Sequence, residues 1–332
     1  MNLEAEPKTT DRRDFMLRLL KGSISIAAFC SVSLLLYDRT GPGGRAGEKE
    51  ELVTLPDFSL PDLSGKMSVV MGADRKKSLD LALKAVGGIE NFIKQGDRVL
   101  LKVNAAFASP AILSATTNPQ LITEVARLCF KAGAASVVVT DNPINNPESC
   151  FSLTGIAEAT RSVGATLLLP KESFFHPTTV QGASLIRAWP ILWEPFVGID
   201  KVVGITPVKD HHRSGASMIM KNWYGLLGGR RNIFHQDIHT IIKELAMLVR
   251  PTLAILDGTT TMMTNGPTGG SLADLKQTNS MIVSTDQVAA DAYGATLLGK
   301  SLAELPFITK AEAAGLGTAN YESLNPIRLN AA

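Results

Sequence analysis

The sequence predicts an α/β fold: a mostly parallel sheet with helices on both faces, built from Rossmann-like halves. Three observations predict it. Short runs that are apolar throughout alternate with stretches whose apolar residues recur every three or four positions. The first pattern is that of a strand covered on both faces, the second that of an amphipathic helix. The composition, 45% hydrophobic and 19% charged over 332 residues, is that of a globular chain, long enough to bury a sizeable core.

The elements follow in order. "KMSVVMG" from Lys66 is a strand, and "RKKSLDLALKAVGGIENFI" from Arg75 a helix. "DRVLLKVNAA" is a strand that closes on Lys102 and Asn104. "NPQLITEVARLCFKAG" is a helix with its cap at Asn118, proline in the first turn and glycine at the end. "ASVVVTD" is a strand ending at Asp141, "TGIAEATRSVG" a helix and "ATLLLP" a strand. The second half repeats the alternation. "KVVGITPVK", "PTLAILDG" and "NSMIVSTD" are strands, and "HQDIHTIIKELAMLV" and "QVAADAYGATLLG" are helices. Ligands of such sheets sit beyond the carboxyl ends of the strands. Lys102, Asn104, Asp141, Lys209 to His212, Asp257 and Asp286 are therefore expected along one edge, although Asp286 serves equally as a helix cap.

Ahead of this body, residues 1–40 read as a secretory signal or membrane anchor. Arg12 and Arg13 precede Phe15, and an apolar stretch runs from Ile24 to Leu36. The arginine pair followed by an aromatic resembles a twin-arginine signal, with Asp11 in place of the leading Ser/Thr. The apolar stretch is shorter than the ~20 residues a span needs. Gly44-Arg45-Ala46 is a weak cleavage site. Residues 41–65, rich in Pro, Gly and charge, read as a linker. Residues 66–330 form the α/β domain, with a division into two lobes near 180–200 left open. The implied partners are the twin-arginine export machinery and, if the signal stays uncleaved, the membrane. A net charge of +2 with no basic stripe argues against nucleic acid. Three isolated cysteines are too few for an iron–sulfur centre from this chain alone. A Cys129–Cys150 disulfide is open, with plain core the more ordinary use.

Four of the five histidines fall between Lys209 and His239. His211 and His212 are adjacent, so within a strand they face opposite ways. His235 and His239 are four apart on an expected helix, the spacing of a metal-ligand pair. Lys221-Asn222 sets a cation beside an amide, ahead of a glycine that permits close approach. With Lys102 and Lys209 it can hold a carboxylate or phosphate. Arg230-Arg231 reads equally well as solvated. "TNGPTGG" (264–270) is a loop whose N–H groups at Asn265, Gly266 and Gly269 can cradle an anion. It lacks the Walker lysine, and no GxGxxG follows the first strand.

Several stretches together resemble the domain-of-unknown-function 362 family. They are "LLKVN", "TTNPQLITEVARLCFKAGAASVVVTDNP", "VKDHHRSGASMIMKNWYGLLGG", His235, "LAILDGTTTMMTNGPTGG" and "STDQVAADAYG". The set is specific, and each piece alone is not. The resemblance implies positions and no reaction. Some members of that family carry a cysteine-rich ferredoxin-type domain, which this chain lacks.

The expected ligand-binding set is Lys102, Asn104, Asn118, Asp141, Lys209, Lys221, Asn222, Asn265, Gly266 and Gly269. The catalytic candidates are His211, His235 and Asp257, and the metal candidates His235 and His239. The cofactor is unknown, with a divalent metal open. Two functions compete: an exported enzyme acting on a small anionic substrate, and a periplasmic metal- or solute-binding protein or redox-complex subunit without turnover.

Overall fold

In a computed structural model that describes residues 11–36 and 54–331, the chain divides into two units, Met1–Glu48 and Lys49–Ala332. The described part of the first is one helix, α1 (Arg12–Leu36), of 25 residues. Its Arg12–Ser33 stretch is long and apolar enough to cross a membrane by length and composition. The apolar stretch expected from Ile24 is thus extended upstream through Leu19 and Leu20, helical from the arginine pair onward. Residues 1–10 and 37–40 of the expected signal lie outside the described residues, as do residues 41–53 of the expected linker with Gly44-Arg45-Ala46.

In the second unit the chain packs before Lys66 is reached. Leu55 and Phe58 are buried. The Phe58 N–H donates to the Arg250 carbonyl (3.1 Å), and its own carbonyl accepts from the Thr252 hydroxyl (2.7 Å). There follow β1 (Met67–Met71), α2 (Arg75–Ala85), α3 (Ile89–Phe92), β2 (Arg98–Lys102), α4 (Pro119–Lys131), β3 (Ser136–Thr140), α5 (Pro147–Leu153), α6 (Ile156–Ser162) and β4 (Thr166–Leu167). A two-stranded ribbon, β5 (Phe175–Thr178) and β6 (Trp189–Leu192), occupies the region where a lobe division was considered. Then come β7 (Lys201–His211), β8 (Gly215–Ser217), α7 (Ile219–Asn222), α8 (Ile238–Leu248), β9 (Leu253–Met262), β10 (Leu275–Ser284), α9 (Gln287–Leu297), α10 (Pro306–Ala313) and β11 (Ile327–Asn330). The single helix expected from Arg75 to Ile93 breaks at Gly87 and Gly88, which take φ of +110° and +89°, a backbone that ends a right-handed helix.

The strands form one nine-stranded sheet in the order β11-β1-β10-β9-β7-β2-β3-β4, with β8 folded back on β7. From β4 across to β9 every pair is parallel. Along that order β10 reverses, antiparallel to both β9 and β1, and the folded-back β8 is antiparallel to β7. The fold is α/β and mostly parallel, as the strand patterns predict. Side chains alternate between two cores. Leu101, Val139, Ile205 and Ile255 pack under α2, α4 and α6. Leu100, Val202, Ala254 and Leu256 pack under α7 to α10. Cys129 and Cys150 are buried and unpaired, so the disulfide considered between them is not formed.

Two features of this topology decide where the site lies. The chain leaves β2 on one side for β3 and β4, and returns on the other side as β7. The strand order reverses between β2 and β7, which opens a crevice beyond their carboxyl ends. The reversed β10 sends its own carboxyl end to the opposite edge. Asp286 is therefore not part of the expected row. It caps α9, accepting from the N–H groups of Val288 (2.8 Å) and Ala289 (2.9 Å).

Candidate functional site

At the switch point lies a cavity of about 770 Å³, within the usual range for a small-molecule site. Its wall includes Asn104, Phe107, Asp141, Lys209, His211, His212, Lys221, Asn222, Tyr224, Arg231, His235 and the 265–269 loop. Strand ends supply Lys209 and His211, the turn after β3 supplies Asp141, and α7 supplies Lys221 and Asn222.

The three lysines differ in what holds them. Lys102 is fully buried. Its Nζ pairs with Asp141 at 2.8 Å and donates to the carbonyls of Val103 and Asn222, both at 2.8 Å. Burial pulls this ammonium below the ordinary lysine range and Asp141 pushes it back. The other Asp141 oxygen accepts from the Ala105 N–H at 2.6 Å. Gly225 completes the arrangement, because a Cβ there would lie 1.9 Å from an Asp141 oxygen. Lys209 donates to the carbonyls of Ala115 and Pro267 and lies 5.2 Å from the centre of the Phe107 ring. Lys221 has neither an ion pair nor a hydrogen-bond acceptor among the described residues, and its Nζ sits 4.9 Å from the centre of the Tyr224 ring. Burial is the largest influence on both: Lys209 and Lys221 are each brought down to about 7. Lys221 further lowers Lys209, and Arg231 further lowers Lys221.

Arg231 is not solvated. Its guanidinium donates to the carbonyls of Asn142 and Pro143, both at 2.9 Å. It therefore contributes charge to the cavity wall while its donors hold the 142–143 turn.

Three imidazoles meet at this wall. The rings of His211 and His212 stack at 5.0 Å, and those of His211 and His235 at 6.1 Å. The expectation that His211 and His212 part company fails because β7 ends at His211, and strand alternation ends with it. His211 Nδ1 accepts from the N–H groups of Arg213 (3.1 Å) and Ser214 (3.3 Å). An acceptor nitrogen carries no proton, so the ring proton is assigned to Nε2. His235 has the opposite tautomer. Its Nδ1 lies 3.1 Å from the Asn232 carbonyl, an oxygen that only accepts, so the proton is on Nδ1 and Nε2 keeps its lone pair. His212 Nδ1 faces the Gly266 carbonyl at 3.2 Å in the same way. Burial and the nearby lysines hold His211 far below the ordinary imidazole range. Burial and Lys221 lower His235 as well. Neutral rings of opposite tautomer thus offer one N–H donor and one acceptor side by side.

The structure separates other candidates from this place. Asp257 lies within β9, which continues to Met262 and so does not end at Asp257-Gly258 as expected. It pairs with Arg75 of α2 at 2.8 Å on the other face of the sheet. Asn118 caps α4, accepting from the Gln120 N–H at 3.0 Å. α8 opens at Ile238, so His235 belongs to the preceding 3-10 segment and His239 to the helix. The i, i+4 pairing is lost, and His239 stacks on Phe307. Among the described residues, no three His, Cys, Asp or Glu side chains gather to hold a metal ion. The 265–269 loop does line the cavity, but two of its expected backbone donors, at Gly266 and Gly269, are engaged. The Gly266 N–H donates to Asp210 (3.2 Å) and the Gly269 N–H to the Asn265 carbonyl (2.9 Å), while the side-chain amide of Asn265 donates to Asp274 (2.6 Å). The loop lies so close to β7 that a Cβ on Gly266 would fall 1.8 Å from the Asp210 carbonyl oxygen.

Sequence reading passed over Asp291. Its buried carboxylate accepts from the N–H groups of Ile219 (2.8 Å) and Met220 (3.0 Å), and so holds the first turn of α7, two residues from Lys221. The signal was a lone acid inside the apolar run "VAADAYG". Such a residue needs donors to satisfy it.

Comparison with known proteins places the chain at the level of family. The chain is 26% identical over 264 residues to the thylakoid-associated protein sll1697 of Synechocystis sp. (strain ATCC 27184 / PCC 6803 / Kazusa), spanning 75% of this chain and 78% of that one. Among solved structures it is similar to the lactate racemase apoprotein of Thermoanaerobacterium thermosaccharolyticum. There the identity is 11% and the TM-score 0.38, with 75% of this chain and 60% of that one covered, a likeness too low to place any residue. The family model described as a domain of unknown function (DUF362) matches residues 99–296. The chain belongs to that family.

Proposed function

We propose that the cavity binds a small carboxylate- or phosphate-bearing compound, and that the chain is an enzyme that moves a proton on it. The observation that carries this reading is an excess of positive charge. Lys209, Lys221 and Arg231 line the wall, whereas the carboxylate there, Asp141, is already paired with Lys102. Buried cations without counter-charges are costly, and a bound anion relieves them. Lys209 and the His211 Nε2–H are the donors for the anion, and His235 Nε2 is the proton acceptor. The opposite tautomers of two stacked rings support acid–base work over storage alone.

Two measurements test this. Phosphate, succinate and pyruvate are added separately to the full chain, alone and with Mg²⁺, Mn²⁺ or Zn²⁺. At least one is expected to raise the melting temperature, since a ligand at a hundred times its Kd adds about 2.7 kcal/mol. Bound pyruvate in D₂O is then expected to exchange its methyl protons, and His235→Ala to slow that exchange on the order of 10²-fold. Stabilisation without exchange would instead favour a solute-binding protein, and no response to any of the anions ends the reading.

We also propose that α1 directs export of the twin-arginine type and tethers the chain to the membrane where it is not removed. The arginine pair opening an apolar helix supports this, as does a relative named for its association with thylakoids. Arg12→Lys with Arg13→Lys is expected to leave the chain in the cytoplasmic fraction of a bacterial host. Undiminished appearance in the periplasm or on the outer face of the inner membrane would refute the route.

A further inference from the structure

We propose that Lys221 forms an imine with the carbonyl carbon of its ligand, so that the substrate class is a small aldehyde or ketone bearing a carboxylate or phosphate. The proposal rests on the anion-binding reading above and narrows it. What distinguishes Lys221 is availability. Lys102 is held by Asp141 and two carbonyls, and Lys209 by two carbonyls. Lys221 lines the same cavity with no hydrogen bond or ion pair among the described residues, against the face of Tyr224. The face of the Tyr224 ring favours the cation, but no carboxylate or hydrogen-bond acceptor among the described residues holds the ammonium against the free amine. The α7 backbone that carries it is fixed by Asp291.

The step balances without a redox partner. The Nζ lone pair attacks the carbonyl carbon, and the C=O π pair moves to oxygen, which takes up one proton from solvent. The nitrogen gives up a proton to the His235 Nε2 lone pair. The His235 imidazolium returns that proton to the carbinolamine hydroxyl, water leaves, and the nitrogen lone pair closes the C=N bond of a protonated imine. One water leaves for each imine formed. With its pKa brought to about 7, a large share of Lys221 is neutral amine at physiological pH, whereas an ordinary lysine is almost wholly protonated.

The experiment uses the full chain, with glyoxylate, pyruvate and glyceraldehyde 3-phosphate as probes and sodium cyanoborohydride as the hydride donor. Peptide mass mapping locates the resulting secondary amine. The expected result is one adduct per chain on Lys221 with at least one probe. It should form at least tenfold faster than on exposed Lys77 or Lys84 and rise with pH through about 7. The carboxylate and phosphate probes show which anion the site takes. Lys221→Arg, checked for an unchanged melting curve, should lose that adduct alone. If a probe raises the melting temperature yet labelling merely follows surface exposure, the imine is overturned and anion binding stands. If the probes neither stabilise the chain nor label Lys221, both fall.

Discussion

Asp141→Ala is expected to lower the unfolding free energy by about 3–5 kcal/mol. The pair it breaks is almost wholly buried, with Lys102 at 0% and Asp141 at 3% side-chain exposure. Removing the carboxylate leaves the Lys102 ammonium without its counter-charge. It also strips the acceptor from the Ala105 N–H, whereas the Asn142 N–H keeps the Gly225 carbonyl at 3.1 Å. Each buried donor left unmet costs about 1–3 kcal/mol. The effect should reach the cavity, because the Asn142 carbonyl is where Arg231 is anchored. Guanidinium unfolding of the single variant and of Lys102→Met with Asp141→Leu separates charge from packing. The double replacement should recover much of the loss, since an apolar pair of similar size needs no partner. A single-variant cost below about 1 kcal/mol would show that the pair behaves like an exposed one.

Lys221→Met is expected to act in the opposite direction on stability while weakening the response to anions. Burial lowers Lys221 from 10.5 to about 7, and no carboxylate repays that cost. The groups around it, Arg231, Lys209, His211, His235 and Tyr224, are cationic or neutral. Between about pH 7 and 10.5 the unfolded chain binds a proton that the folded chain has released, so stability rises with pH across that window. Below about 7 the full penalty is present, and above 10.5 it is gone. The variant should therefore be more stable than the parent by about 2–4 kcal/mol at pH 6, with the gap closing toward pH 10.5. Paired denaturation curves at the two ends of that range measure it. A variant less stable than the parent at pH 6 would mean that Lys221 has a stabilising partner. A site residue whose removal stabilises the fold is kept for what it does.

Much of this layout was legible before any coordinates. Strands apolar on both faces announced a covered sheet, and the rule that ligands gather at carboxyl ends brought Lys102, Asp141, Lys209 and His211 to one region. The failures have local causes. Asp286 was misplaced because an apolar strand reads the same in either direction, so nothing in "NSMIVS" reveals that β10 is antiparallel. Asp257 was taken for a strand end because glycine followed it, yet Gly258 sits inside β9, where a Cβ would meet Leu297 at 2.4 Å. His239 was paired with His235 by helical spacing that does not hold across a 3-10 segment. Arg231 looked solvated because its acceptors are backbone carbonyls, which have no letter in the sequence.

The anchoring of α7 by Asp291 has a consequence for how the protein comes into being. The cavity is assembled from β2, β7 and the start of α7, and that start is tied down by a residue some seventy positions later. A nascent chain still on the ribosome, synthesised only as far as β9, has every lysine of the pocket and no means of fixing the one that matters most. Capture of a ligand through Lys221 is therefore expected to wait until α9 has been made.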